Sequence, residues 1–241
     1  MNLRMDEHDP GSSKNFFGSP LGDGGMILIN KPLHWTSFDV IRKIRNTIKI
    51  KKVGHAGTLD PLATGLLIVC TGKFTKNINE YMAQEKEYTG TFTLGAVTPT
   101  YDLESEPENF QSIDGITVQT IIETTKKFTG EIMQVPPAHS AIKQKGKPVY
   151  LLARKGHDVK LEPRKITIHQ FEIANINFPV VSFKVVCTTG TYIRSLANDF
   201  GEALGCGAYL SSLCRTRIGN FTLAEAVSMD AFAADSKKIE S

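Results

Sequence analysis

Lys165–Thr188, KITIHQFEIANINFPVVSFKVVCT, is the stretch that decides the fold. Residues 165–176 and 180–188 each alternate apolar and polar side chains, as strands with one buried face do, and such long runs are typical of an antiparallel pair. Just downstream, Thr189-Gly190-Thr191 opens a helix running to about Leu204, and Tyr209 to Phe221 supplies a further strand. Upstream, Met26–Asn30 (MILIN) is a short apolar run halted by Lys31-Pro32, and Leu66–Thr71 is another. Between them Thr36 or Ser37 caps a helix whose apolar positions Phe38, Ile41, Ile44 and Ile48 recur at three- and four-residue steps. Glu87–Val97 alternates as a half-solvated strand, Thr98–Gly115 is a polar, acidic loop, and Val118–Phe128 is a helix ended by Gly130. Residues 149–154 read as a further helix inside a basic, turn-rich insertion at about 131–160. Runs of strands with a few interspersed helices imply an α+β fold rather than a doubly wound sheet.

The chain has 241 residues, 41% hydrophobic and 22% charged, with a mean hydropathy of -0.15. That composition buries a core and excludes wholesale disorder, collagen and coiled coil. The longest apolar runs, such as Leu66–Cys70, fall far short of the roughly 20 residues that cross a bilayer. Residues 1–25 read as a flexible leader, rich in Gly, Ser, Asp and Pro, without the apolar core of a secretory signal, so a cytoplasmic location is expected. Cys70, Cys187, Cys206 and Cys214 stand 117, 19 and 8 residues apart, which matches neither a zinc site nor a compact disulfide framework. The six histidines are equally scattered, and neither a metal nor a cofactor is expected.

The formal charge of +3 hides a strong asymmetry. Lys31–Lys76 carries nine bases against two acids, and six of the bases fall between Arg42 and Lys52. Ala141–Lys165 has eight bases against two acids, whereas Glu80–Glu131 has ten acids against three bases. A single charge run is ordinarily solvated surface. Two basic clusters, each beside a Gly/Pro-rich loop, point to a polyanion such as nucleic acid, because Lys and Arg that neutralise phosphates release counterions.

Two segments carry candidate chemistry. The loop Gly54-His55-Ala56-Gly57-Thr58-Leu59-Asp60-Pro61-Leu62-Ala63-Thr64-Gly65 can present Asp60 to a cleft, or Asp60 can be a turn residue ahead of Pro61. Thr191-Tyr192-Ile193-Arg194 puts an arginine in the first turn of a helix, where the dipole gives it nothing. Arg194 is therefore either an exposed surface residue or the partner of a nearby anion.

The blocks MILINKPLHWTSFDV (26–40), GHAGTLDPLATGLL (54–67), EKEYTG (85–90), PPAHSAIKQKGKPVYLLARKG (136–156), GTYIRSLANDFGEALG (190–205) and RTRIGNF (215–221) resemble, in order, the TruB-type tRNA pseudouridine synthases. The resemblance implies that family's catalytic fold over residues 26–221, a mixed, largely antiparallel sheet flanked by helices and loops. It leaves 222–241 as a short tail without the family's usual C-terminal RNA-gripping PUA domain, and so implies weaker or more salt-sensitive tRNA binding. It further implies isomerisation of a T-loop uridine, conventionally position 55, by breaking C1′–N1, turning the uracil and joining C5 to C1′, with no cofactor. Asp60 then matches the catalytic carboxylate, attacking C1′ or removing a C2′ proton. Arg194 would pair with Asp60 and lower its pKa. Tyr88 would stack on the uracil, Leu213 and Tyr192 would line the same pocket, and His55 would fill the space an everted nucleotide vacates. Arg42, Lys43, Lys51, Lys52, Lys143 and Lys145 become phosphate contacts flanking the T-arm. The family leads one to expect a monomer with no protein partner.

Two other functions compete. A non-catalytic RNA-binding or RNA-folding module on the same scaffold would have no need of Asp60, Arg194 and Tyr88 together. A hydrolase working like a glycosidase wants a second carboxylate, and none lies in the motifs that converge on Asp60.

Overall fold

The structure, a computed structural model, describes residues 24–138, 143–144, 147–148 and 161–237. Residues 1–23 of the expected leader, the helix expected at 149–154 and Lys145 lie outside the described residues. One ten-stranded sheet organises the molecule: β1 (Met26–Lys31), β2 (Val53–His55), β3 (Ala63–Thr71), β4 (Lys86–Leu94), β5 (Gly130–Gln134), β8 (Arg164–Asn177), β9 (Val180–Cys187), β10 (Ala208–Ile218), β11 (Phe221–Thr222) and β12 (Val227–Ser228). A separate two-stranded ribbon pairs β6 (Lys143–Gln144) with β7 (Lys147–Pro148). The order across the sheet is β12-β1-β3-β10-β4-β9-β8-β5, with β11 beside β10 and β2 beside β3. β1–β12 and β3–β10 are parallel and the other pairings in this sheet are antiparallel, the mixed α+β architecture expected. The pair that began the reading, β8 and β9, is antiparallel from Ile168 opposite Cys187 to Asn177 opposite Val180.

Helices cover the sheet as α1 (Ser37–Ile48), α2 (Ile78–Ala83), α3 (Val118–Lys127), α4 (Ile193–Leu204) and α5 (Met229–Lys237). α1 starts in a capping box: the Thr36 hydroxyl accepts from the Asp39 amide at 3.0 Å, and the Asp39 carboxylate accepts from the Thr36 amide at 3.0 Å. Its inward stripe is Ser37, Val40, Ile41 and Ile44; Phe38, expected on that stripe, is 61% exposed because it falls on the flank. α1 and α5 bury Val40, Ile41, Ile44, Met229 and Phe232 against Ile27, Ile29, Leu67 and Val69 of the sheet. α3 and α4 close a larger core around Phe92, Phe171, Phe183 and Phe200. The rings of Phe92 and Phe183 stack at 4.2 Å. Residues 221–237 thus form two short strands and a helix that pack into the fold.

Candidate active site

The loop joining β2 to β3 is tied down on every side. Gly57 takes φ +90°, which only glycine adopts without strain, and its carbonyl accepts from Arg215 Nη2 at 3.1 Å. The buried Ser37 hydroxyl accepts from the Leu59 amide at 2.9 Å and donates to the Leu59 carbonyl at 3.2 Å. The Pro61 carbonyl accepts from the His34 amide at 2.9 Å and from Lys31 Nζ at 3.4 Å. Lys31, fully buried, also donates to the carbonyls of Trp35 at 2.5 Å and Pro32 at 2.9 Å. Burial lowers its pKa to about 8, against the pull of the Asp60 carboxylate. Asp60 therefore sits between anchored neighbours, held before any substrate arrives.

Its side chain meets α4. Arg194 Nε lies 2.9 Å from Asp60 Oδ2, and Nη2 donates to Oδ1 at 3.3 Å, a forked contact across 134 residues of sequence. Nε also lies 3.6 Å from Oδ2 of Asp102, and Nη1 donates to the Thr100 carbonyl at 3.3 Å. Arg194 and Asp102 are buried, while the Asp60 side chain keeps 36% of its surface open. The first-turn arginine thus has its anions, two rather than one. Burial pushes the Asp60 carboxyl above its usual range; Arg194 pulls it back, Asp102 adds to the rise and Lys31 opposes it. The net direction is up, where the pairing with Arg194 alone had suggested down.

Asp60 opens into a cavity of about 320 Å³, within the 300–1,000 Å³ or so usual for small-ligand sites. Arg194, Tyr88, Tyr192 and Leu213 line the same cavity, so five expected site residues converge there. Tyr88 and Arg215 are cross-strand partners on β4 and β10. Burial pushes the Tyr88 phenol up in pKa, and the charge of Arg215 and its hydrogen bond to Tyr88 oppose the rise. Tyr192 is locked from behind: its amide donates to Gln134 Oε1 at 2.8 Å and its carbonyl accepts from Gln134 Nε2 at 3.0 Å. His55 is half-buried on β2 outside the cavity lining; burial and Arg215 favour its neutral imidazole.

The basic residues stand elsewhere. Arg42 and Lys43 are exposed on α1 and line a surface groove of about 340 Å³ with His34, Trp35, Asp39 and Asn46; Arg42 is ion-paired to Asp39 at 2.7 Å. Lys51 and Lys52 are exposed just before β2, and Lys143 lies in β6. Lys31, Ser37, Lys86, Asp102, Gln134 and Arg215 belong to the site or its supports but had not been singled out. Lys86 could have been found, since it lies two residues before Tyr88 on an alternating strand and so shares its face. Asp102 sits in what reads as a solvated acidic loop and gave no such signal. It is the further carboxylate that the motifs alone had not supplied. Among the described residues no group of three or more His, Cys, Asp or Glu side chains converges as a metal centre, and no helix is long and apolar enough to cross a membrane.

The family model described as TruB family pseudouridylate synthase (N terminal domain) matches residues 45–193, and that of the tRNA pseudouridylate synthase B C-terminal domain matches 194–240. A Flavobacterium johnsoniae protein named tRNA pseudouridine synthase B is 50% identical over 217 residues, covering 87% of this chain and 95% of that protein. A Bacteroides fragilis protein of the same name is 49% identical over 217 residues, covering 88% and 93%. Among solved structures, a chain in a Cbf5-Nop10-Gar1 complex superposes with a TM-score of 0.69 at 31% identity; the match spans 87% of this chain and 54% of that one. Matching models over residues 45–240 and near-half identity across the relatives' lengths are enough to say that this chain belongs to the TruB family of pseudouridylate synthases.

Proposed function

We infer that the protein isomerises uridine to pseudouridine in the T-loop of tRNA, with Asp60 as the catalytic carboxylate. Its relatives' name supplies the tRNA, and the observation that carries the chemistry is the open-faced Asp60 side chain forked onto Arg194 at the wall of a cavity. A stacked and paired uridine cannot reach such a wall, so the nucleotide leaves its stack at a cost of a few kcal/mol. Tyr88 and Leu213 present faces on which the extruded base lies. Asp60 meets C1′ as nucleophile or takes a proton from C2′, and C1′–N1 breaks. The freed uracil turns within the cavity, C5 bonds to C1′, and the C5 proton is lost as N1 takes one up. Arg194 keeps the carboxylate aimed throughout. His55 takes the place of the departed nucleotide. Arg42, Lys43, Lys51, Lys52, Lys143 and Lys145 contact phosphates of the T-arm. The reading takes the enzyme as a cytoplasmic monomer.

Transfer RNA tritiated at uracil C5 tests this directly. The protein should release tritium and leave pseudouridine at one T-loop position. Asp60→Asn should stop release while tRNA binding persists. Binding without release by the wild-type chain would instead favour an RNA holder, and free uracil would favour a hydrolase.

A further inference from the structure

The cavity is lined by two buried cations with no carboxylate of their own. Lys86 is 5% exposed, and its ammonium donates to the carbonyls of Met82 and Gln84, which occupies two of its three protons. Arg215 is 1% exposed and donates to the carbonyl of Leu66 at 2.8 Å and to that of Gly57 at 3.1 Å. Among the described residues neither joins an ion pair. This differs from Arg194, which is matched by both Asp60 and Asp102. Both line the cavity beside Tyr88, and each lies close enough for Arg215 to depress the pKa of Lys86. A buried charge without a counter-charge is costly to keep, and placing two side by side adds repulsion. The expense is offset when the missing anion is brought in by the ligand.

The reaction makes such an anion. When C1′–N1 breaks, the bonding pair stays with the ring, and its charge spreads over N1, O2 and O4. Meanwhile C1′ is held by Asp60, or joins C2′ by a double bond as C2′ gives Asp60 a proton that returns to it when C5 bonds to C1′. The pair is consumed as C5 bonds to C1′, and the C5 proton then departs to solvent while N1 takes one up. We propose that Lys86 and Arg215 form a cationic wall that stabilises the detached uracil as its anion, opposite the carboxylate that handles the sugar. Preorganised charges aimed at where charge develops in the transition state are a large source of catalysis. The inference rests on the isomerase reading and adds to it the groups that serve the leaving base.

Single-turnover rates on two tRNAs test it, one with uridine and one with 5-fluorouridine at the target. Fluorine stabilises the ring anion, so the wall matters less for the second substrate. The readout is disappearance of the intact target nucleoside, because a 5-fluoro ring has no C5 proton to lose. Lys86→Met should slow the uridine substrate on the order of 100-fold and the fluorinated one at least about tenfold less, with tRNA affinity unchanged. Lys86→Arg, which keeps the charge, should stay within about tenfold of wild type on uridine. Equal losses on both substrates, or Lys86→Arg as slow as Lys86→Met, would overturn the cationic wall while leaving the isomerase reading intact. A wild-type chain that turns over neither RNA sinks both.

Discussion

Asp102 changes what Arg194 does. With one carboxylate the guanidinium would simply hold Asp60 ionised; with two it is shared, and Asp60 feels a second negative charge as well as its own burial. On the proposed role of Asp60 the ionised carboxylate is the working form, so a pKa above the usual value of about 3.9 moves the acidic limb of the kcat/KM profile upward. Asp102→Asn removes one cause of that rise and should shift the limb to lower pH, measurable by tritium release between pH 4 and 8 or so. A limb that stays in place or moves up contradicts the shared-arginine account. In the sequence, Asp60 and Arg194 were visible through their odd placement, one between glycine turns and the other against a helix dipole. Asp102 was not, since nothing local distinguishes an acid folded inward from its solvated neighbours in an acidic loop. Nor could Arg215 be separated from the run Arg215-Thr216-Arg217, where Arg217 is partly exposed and paired with Glu85 at 2.8 Å.

At the scale of elements, the long alternating strands and amphipathic helices were legible because their periodicity spans several repeats. What escaped were short pieces whose position is set from outside: α2, β2, β5, β12 and α5. β5 exists because Gly130–Gln134 finds an edge on β8, and its last residue, Gln134, then bonds Tyr192 at the start of α4. α4 in turn rests against the start of β10 so closely that only hydrogen fits at Gly201. A Cβ there would lie 2.0 Å from the Ala208 amide nitrogen and 2.4 Å from the Gly207 carbonyl carbon. Gly201→Ala should thus lower stability by about 1–3 kcal/mol even though alanine suits a helix better, and denaturant titration checks it. Because the displacement also shifts Arg194, turnover should fall in the folded fraction. A stabilised variant would show that the helix has room to spare.

For the whole molecule, charge distribution outranks net charge. Of the bases in the Lys31–Lys76 region, Arg42, Lys43, Lys51 and Lys52 are exposed while Lys31 is buried, and the acids concentrate in the chain between α2 and β5. If those lysines meet phosphates, Lys51→Ala with Lys52→Ala should weaken tRNA binding similarly across substrates. The slope of log affinity against log salt should also become shallower by about 1 for each lysine removed. An unchanged slope in filter-binding titrations places the RNA elsewhere.

The sheet order has one more consequence, for synthesis. β10, made after β9, lies between β3 and β4, and until residues 208–218 emerge the early antiparallel pair of β1 and β3 has no neighbour on that side. A ribosome that has translated as far as residue 207 still carries two half-sheets with raw margins, the state in which strands join the wrong company. Leu213 and Arg215 arrive on that same strand, so no growing chain can close the cavity before its keystone is in place.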